Sequence, residues 1–287
     1  GLNPLCTIYF REKIKKYYNH STFFYRHLWA NKKNLAMHFG FWDKNTKNLN
    51  DALINENRYV AEILGIKKSD TVLDAGCGIG GSAIWIAENY GAKITGITIV
   101  EDHVKLAEKY AKGRGVSNLV KIELKDFCDT RLPSGSFNKI YGIESICYAI
   151  DKYDFLKEAH RLLKKGGKLA VCDGYMVKDE LTEKETKYVQ NTYNGWVLDN
   201  FSSYEDFNNN LKKLGYHNIE FIDVTKKIMK SSEEVYKSSR WIHPLVILLE
   251  KLHLTSETNV LAELACQGQY HMFKDGVIVY GVFIAQK

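Results

Sequence analysis

The amino-acid sequence predicts an α/β protein built on a doubly wound, mostly parallel sheet of seven strands flanked by helices. Two observations lead to this prediction. From residue 70 to residue 175, short apolar runs alternate with amphipathic helical segments, as in parallel strands joined by right-handed crossovers. The first apolar run ends in VLDAGCGIGG (72–81), a glycine-rich turn of the kind that leads from a strand into a helix.

The predicted elements of this core follow in regular order. Apolar runs predict strands at 70–76, 92–99, 119–126, 137–145 and 168–175. Helical periodicity between them predicts helices at 81–91, 101–115 and 153–167. Gly91 ends the first of these helices, and Gly166 with Gly167 provides the cap and turn that end the third. Each helix thereby becomes the crossover between two parallel strands.

The two ends of the chain depart from this rhythm. Residues 203–224 predict one more helix and strand, and 276–286 a last strand. We divide the chain into a helical segment over residues 1–64, expected to close over the ligand site, and an α/β domain over residues 65–287. Helical insertions near 177–203 and 226–272 are expected to cap the substrate.

Composition and charge narrow the class of protein. The chain has 287 residues, of which 45% are hydrophobic and 26% charged, enough for an ordinary globular core. No apolar stretch reaches the roughly 18 residues of a spanning helix, although contact with a membrane surface stays open. The net charge of +6 is scattered, so we expect a small-molecule substrate and no nucleic acid. Six cysteines without a C-x-x-C pair predict reduced thiols, a cytoplasmic protein and no metal site.

The glycine-rich loop allows two classes of ligand. Gly76, Gly78 and Gly81 have the spacing of a dinucleotide site, which expects an acidic residue about twenty positions later to hold the ribose. The second strand instead ends in GITI, with Thr98 where that acid would lie. Asp74, at the tip of the first strand, would repel a pyrophosphate but suits an ammonium group. S-adenosylmethionine carries an ammonium, a sulfonium and no phosphate, so it fits this loop better than a nicotinamide dinucleotide does.

Further segments support this interpretation. KDFCD (125–129) ends the third strand, ESICYAID (144–151) follows the fourth, and RLLKKGGKLAV (161–171) supplies a helix, a turn and the fifth strand. Together these motifs resemble the class I S-adenosylmethionine-dependent methyltransferases. The resemblance is strongest to the small-molecule branch that includes tocopherol, sterol, sarcosine and cyclopropane-fatty-acid enzymes. YYNHSTFFYRHLW (17–29) and HFGFWD (38–43) are similar to the N-terminal segment that folds over the cofactor in that branch.

The resemblance implies a Rossmann-like methyltransferase fold, S-adenosyl-L-methionine as cofactor and a set of binding residues. The residues carried over are, for the methionine moiety, Asp74, Gly76 and Gly78; for the ribose, Thr98, Ile99 and His103; for the adenine, Asp126 and Phe127; and for the methyl-donor end, Tyr18 and His38. At position 103 the branch usually has glutamine. Ser145, just after the fourth strand, completes the implied binding set.

Methyl transfer from a sulfonium is an in-line displacement, so the protein mainly aligns the acceptor and excludes water. It needs no metal, and it needs a base only where the acceptor must lose a proton. Glu144 and Tyr148 follow the fourth strand at the carboxyl edge where open sheets bind ligands, and we take them as the candidate catalytic residues. Either is expected to act as the base or to orient the acceptor. Glu144 could equally stabilise a carbocation formed when an alkene carbon is methylated.

Aromatic residues near the N-terminus bear on the identity of the acceptor. They are Tyr17, Tyr18, Phe23, Phe24, Tyr25, Phe39, Phe41 and Trp42. As the wall of an apolar pocket they would suit a lipid, isoprenoid or quinone-like acceptor methylated at carbon or oxygen, which is our leading interpretation. As a cage for an amine they would indicate a small-molecule N-methyltransferase, and as packing alone they would indicate neither. We expect a monomer or a homodimer.

Overall fold

The computed structural model describes residues 4–24, 34–253 and 255–287, with side chains in the first helix described only for residues 9–19. Nine α-helices lie within these ranges: α1 (Pro4–Phe24), α2 (Leu49–Leu64), α3 (Gly81–Tyr90), α4 (Glu101–Gly113), α5 (Lys152–Leu162), α6 (Glu183–Trp196), α7 (Tyr204–Lys213), α8 (Thr225–Lys251) and α9 (Glu257–Lys274). The strands of the same ranges are β1 (Thr71–Ala75), β2 (Lys93–Thr98), β3 (Val120–Leu124), β4 (Phe137–Ile143), β5 (Leu163–Met176), β6 (His217–Asp223) and β7 (Ile278–Gln286).

The seven strands of the described residues form one sheet in the order β3-β2-β1-β4-β5-β7-β6. Neighbours from β3 to β5 pair in parallel, whereas β7 is antiparallel to both β5 and β6. The predicted doubly wound, mostly parallel sheet is therefore confirmed. The strand order reverses between β1 and β4, so the loops that follow these two strands diverge and leave a crevice at their carboxyl ends.

Alternating residues of the central strands build two cores. Val72 of β1 and Ala170 of β5 belong to the core on the side of α2, α3 and α4. Their sequence neighbours Leu73 and Val171 belong to the core on the side of α5 and α7. Because successive side chains of a strand point to opposite faces, a sheet covered by helices on both sides needs apolar residues at nearly every position. This requirement explains the continuous apolar runs of β1 and β5.

The boundary between α5 and β5 differs from the prediction. We predicted a helix up to Gly167, but α5 ends at Leu162 and β5 begins at Leu163. Leu163 is extended, with φ −66° and ψ 137°, and pairs with Phe137 of β4 while its side chain is fully buried. Burial of Leu163 against the sheet outweighs the helical pattern of this segment. Gly166, with φ 77°, lies within the strand and does not cap a helix.

Helices α6, α8 and α9 pack together as a helical cap. A Cβ added to Gly195 of α6 would overlap the Leu261 carbonyl oxygen of α9, and one added to Gly268 of α9 would reach within 2.6 Å of the Tyr188 carbonyl oxygen of α6. The two backbones are in direct contact as a result. These helices fall in the segments expected to be insertions, and the division of the chain into domains stays a prediction. No helix among the described residues combines the length and the apolar character needed to cross a membrane.

Candidate active site

The glycine-rich loop between β1 and α3 lies at the crevice where the strand order reverses. Its first turn is held by the backbone N–H groups of Gly76 and Cys77, which both donate to the Ile97 carbonyl oxygen at 3.0 and 2.9 Å. Gly76 has φ 86°, and a Cβ there would overlap the Cβ of Ser145 after β4. The loop backbone therefore passes directly against the ESICY segment, which only glycine allows at this position.

A cavity of about 300 Å³ opens above this loop. The structure brings all thirteen residues singled out from the sequence to its wall: Tyr18, His38, Asp74, Gly76, Gly78, Thr98, Ile99, His103, Asp126, Phe127, Glu144, Ser145 and Tyr148. We call it the cofactor cavity. The structure shows that these residues share one cavity, and the role of each in binding or catalysis stays a prediction.

Asp74 is the buried carboxylate of this cavity. The Tyr141 hydroxyl donates to Asp74 Oδ2 at 2.9 Å. Burial raises the pKa of Asp74 to about 7, although the Tyr141 hydrogen bond and the charge of His38 lower it in part. A buried carboxyl group with a raised pKa gains most from a cationic ligand, because the ligand charge offsets the desolvation that its ionised form suffers. Asp74 is thus suited to hold an ammonium group.

The opposite end of the cavity combines a neutral histidine with a paired carboxylate. Burial lowers the pKa of His103 to about 4, so its ring is uncharged at neutral pH, and it packs edge-on against Tyr18 with ring centres 5.4 Å apart. Asp126 pairs with Arg11 of α1 and accepts from the Cys128 backbone N–H at 2.7 Å. Helix α1 is therefore tied to the residue predicted to hold the adenine. Sequence reasoning did not identify Arg11.

Glu144 lies in a buried polar network that joins four elements. Its Oε1 accepts from the Phe39 backbone N–H at 2.7 Å and lies 2.9 Å from the Tyr280 hydroxyl oxygen of β7. The same hydroxyl oxygen lies 2.7 Å from Oε1 of Glu56, on α2, and Oε2 of Glu56 lies 2.8 Å from His38 Nδ1. Glu144 has φ 49°, a left-handed conformation that is strained for a non-glycine residue and is held there by these contacts.

The number of protons in this network sets its charges. Burial alone would lower the pKa of His38, but the charge and hydrogen bond of Glu56 raise it to about 9, so the ring is a cation. Burial and the charge of Glu56 raise the pKa of Glu144 to about 8. The Tyr280 hydroxyl has one proton and cannot donate to two carboxylates at once. Its hydrogen bond to Glu144 lowers the pKa of that carboxyl in part, against the larger effects of burial and of the Glu56 charge.

A second cavity, of about 490 Å³, adjoins the first under the helical cap. The two cavities share the side chains of Tyr18, Met37, His38, Glu144 and Tyr148. We call the second one the acceptor cavity. Its wall is largely apolar, with contributions from Phe39, Trp196, Leu198, Phe201, Val246, Leu249 and Phe273.

The aromatic residues expected to wall the acceptor have different positions. Tyr17, Tyr18 and Phe39 line the acceptor cavity. Phe41 instead packs between Tyr59 and Tyr280, and the Trp42 indole donates to Ser231 Oγ at 2.9 Å, so these two stabilise the scaffold. Tyr25 and the side chains of Phe23 and Phe24 lie outside the described residues.

The sequence motifs did not identify Glu56 and Tyr280 as residues of the site. Glu56 gives one signal in retrospect. It lies with Asn57 on the buried stripe of α2, among Ala52, Leu53 and Val60, where the pattern calls for apolar residues. Tyr280 lies in the apolar run of β7 and gives none. Among the described residues, no group of three or more histidine, cysteine, aspartate or glutamate side chains converges as a metal site requires.

Comparisons with known proteins agree with this architecture. The family model described as mycolic acid cyclopropane synthetase matches residues 7–223. The sterol 24-C-methyltransferase of Pneumocystis carinii is 30% identical over 225 residues, 78% of this chain and 56% of the relative. The tocopherol O-methyltransferase of Arabidopsis thaliana is 25% identical over 96% of this chain and 82% of its own. A cyclopropane synthase structure from Mycobacterium tuberculosis superposes with a TM-score of 0.82 at 15% identity, covering 96% of this chain and 98% of the other. This chain spans about half the length of the sterol relative.

Proposed function

The chain belongs to the mycolic acid cyclopropane synthetase family, and we propose that it is an S-adenosylmethionine-dependent methyltransferase acting on carbon or oxygen of a small apolar acceptor. A lipid, isoprenoid or quinone-like molecule is the acceptor class. The observation that carries this proposal is the meeting of two unlike cavities at Glu144, His38, Tyr18 and Tyr148. One has the glycine loop and a buried carboxylate, and the other is large and apolar. A polar methyl donor and an apolar acceptor would meet at this boundary.

The residues of the cofactor cavity fit S-adenosylmethionine. Asp74 would pair with its ammonium group, and the open backbone at Gly76 would let the methionine moiety lie against the loop. Thr98, Ile99 and the neutral His103 would face the ribose. Asp126 and Phe127 would hold the adenine, in which case the adenine amino group competes with Arg11 for the Asp126 carboxylate. When bound, this cofactor supplies a methyl group on a positively charged sulfonium.

The side chains at the boundary align the acceptor and handle its proton. Tyr18 and Tyr148 lie at the boundary with ring centres 5.6 Å apart, where they would keep water away from the transferred methyl group. Ionised Glu144 is the base that accepts a proton from the methylated carbon or from an acceptor hydroxyl. Its raised pKa makes it a stronger base than an ordinary glutamate, and the Phe39 N–H and Tyr280 hydroxyl fix its position. For a carbocation, the same carboxylate supplies the stabilising negative charge.

An amine acceptor is the less favoured alternative. The acceptor cavity is large and mostly apolar, whereas a cage for a small amine needs several rings closed around one point. The relatives named for sterol and tocopherol methylation point in the same direction. We therefore retain carbon or oxygen as the methylated atom.

We also propose that the acceptor enters from a lipid surface. Trp241 on α8 is 86% exposed, and Leu245, Leu248 and Leu252 on the same face are each more than half exposed. At helical spacing, Lys251 lies along one edge of this ridge, as suits an anionic membrane surface, and Lys237 on the same edge pairs with Glu233. Leu245 also lines the acceptor cavity, so the ridge is continuous with the site.

A labelled-methyl screen tests the proposed function. The full chain is incubated with S-adenosylmethionine carrying a tritiated methyl group and with organic extracts and polar extracts of cells. With the wild-type protein we expect the tritium label in the organic phase. With the Asp74→Asn variant, which is the matched control, we expect no label there. Label confined to polar amines would contradict the apolar acceptor. Calorimetry that finds binding of a nicotinamide dinucleotide but not of S-adenosylmethionine would overturn the assignment altogether.

A further inference from the structure

The residues that line the acceptor cavity extend along the antiparallel pair α8 and α9. Its inner end is Phe273 of α9, whose ring lies against Phe39 and Tyr280 beside Glu144, with ring centres 6.1 and 6.4 Å apart. From there Gln269, Cys266 and Glu263 follow along the wall of the cavity. Glu263 precedes Phe273 by ten residues, which at about 1.5 Å per helical residue places it about 15 Å farther along the helix.

The wall of the acceptor cavity, at a distance from Phe273, contains a carboxyl group with one unsatisfied oxygen. Oε2 of Glu263 is buried and has no hydrogen-bond partner among the described residues, and the same holds for Nδ1 of His243 on α8. Ser239 Oγ donates to the Glu263 carbonyl oxygen at 2.8 Å. Burial raises the pKa of the Glu263 carboxyl, whereas a Ser239 hydrogen bond and the charge of His243 lower it in part, so the open atom is Oε2 and not the whole group. Buried polar atoms are almost always hydrogen-bonded, so an open acceptor in a cavity wall indicates a ligand that brings a donor.

The charges in the cavity wall restrict that ligand further. The described residues that line the acceptor cavity include the carboxyl groups of Glu144, Asp173 and Glu263 and neither lysine nor arginine. Both oxygens of Asp173 accept backbone N–H groups, from Cys147 and Gly174. Glu263 is therefore the carboxyl group of this wall that lies away from the cofactor cavity and has a buried oxygen without a partner. A phosphate or diphosphate near Glu263 would lie beside a carboxyl group with neither lysine nor arginine of the described wall to pair with it.

We propose that Glu263 forms a hydroxyl-binding subsite, and that the acceptor is an unphosphorylated apolar molecule with a hydroxyl group about 15 Å from the atom that is methylated. The hydroxyl donates to Glu263 Oε2, and the apolar body fills the cavity between Glu263 and Phe273. The identity of the near end as the methylated end rests on the proposed function. The subsite itself rests on the cavity and its unsatisfied carboxyl group.

Binding of three matched probes tests this subsite. Farnesol, its methyl ether and farnesyl diphosphate are titrated by calorimetry into the full chain without cofactor. The three share one apolar chain and differ in the donor and the charge at its end. We expect farnesol to bind about tenfold or more tightly than the ether, because the ether leaves the Glu263 oxygen unpaired, and the diphosphate to bind more weakly than the alcohol.

Variants at position 263 test whether Glu263 causes the preference for farnesol over its methyl ether. Glu263→Leu should remove the preference for alcohol over ether. Glu263→Gln should retain part of it, because its amide oxygen still accepts a hydrogen bond. Glu257→Leu, at an exposed position in the first turn of α9, is the matched control and should behave as wild type.

Several results would overturn the subsite. The wild type could bind farnesol and its ether equally well, it could bind the diphosphate most tightly, or it could show no measurable binding of farnesol. Equal affinity would mean that water satisfies Glu263. Should Glu263→Leu fail to fold, the comparison of ligands in the wild type and the Gln variant still decides. Binding of S-adenosylmethionine is titrated in a separate experiment. If the methyltransferase proposal fails, that titration shows no binding, and the preference for alcohol over ether still tests the subsite.

Discussion

Replacing Tyr280 with phenylalanine removes a single hydroxyl from the network around Glu144 and keeps the ring that packs on Phe39, Phe41 and Phe273. That hydroxyl lowers the pKa of Glu144, which burial and the charge of Glu56 raise to about 8. Its removal should therefore raise the pKa further. A hydrogen bond to a charged group contributes roughly 1.5–3 kcal/mol, and this hydroxyl is shared with Glu56. Half of that range corresponds to about one pKa unit.

The direction of the effect on catalysis follows from the ionised form being the base. If the pKa rises by about one unit, the ionised fraction of Glu144 at neutral pH falls roughly tenfold. Turnover should fall by a similar factor at neutral pH and recover at alkaline pH, where Glu144 ionises in both proteins. Recovery separates an altered pKa from damage to the fold, because a distorted site would stay slow at every pH.

Two measurements check this prediction. The carboxyl carbon of Glu144, labelled with carbon-13 and identified by its loss in Glu144→Gln, is titrated by NMR in wild type and in Tyr280→Phe. The pH dependence of kcat/KM is then compared with the NMR midpoint. Tyr216→Phe is the matched control, since it removes another buried tyrosine hydroxyl, bonded to the Leu156 carbonyl oxygen on the opposite face of the sheet. A Glu144 midpoint in the ordinary glutamate range, or one that Tyr280→Phe leaves unchanged or lowers, would refute the reasoning.

Three further predictions concern the remaining parts of the site. Asp74→Ala should weaken S-adenosylmethionine binding in calorimetry by about 2–3 kcal/mol, because it removes the charge that pairs with the ammonium group; unchanged affinity would exclude that role. Glu144→Gln and Tyr148→Phe should lower kcat by about 10²–10⁴ and leave cofactor affinity nearly intact if the acceptor loses a proton, and should mainly raise KM if it is a neutral amine. Trp241→Ser should reduce sedimentation with anionic vesicles, whereas binding equal to wild type would argue against the membrane-facing ridge.

The sequence by itself determined the scaffold and the wall of the cofactor cavity. Local hydrophobic periodicity predicts the strands and crossover helices, because it depends only on residues that are close in sequence. The carboxyl ends of parallel strands lie at the same edge of the sheet. The motifs that follow β1, β2, β3 and β4 therefore lie close together at that edge. For this reason residues as far apart as Asp74 and Tyr148 could be placed in one cavity in advance.

The tertiary structure alone decided how the candidate catalytic side chains are held and which residues line the second cavity. Glu144 shares the Tyr280 hydroxyl with Glu56 across 136 and 224 positions of sequence, and no local pattern records such a pairing. The same is true of Arg11 on Asp126 and of the start of β5 at Leu163, which burial against β4 fixes against a helical pattern. Charges and pKa values in the site follow from these distant contacts, because burial and neighbouring charge, which only the fold provides, determine whether a carboxyl group keeps its proton.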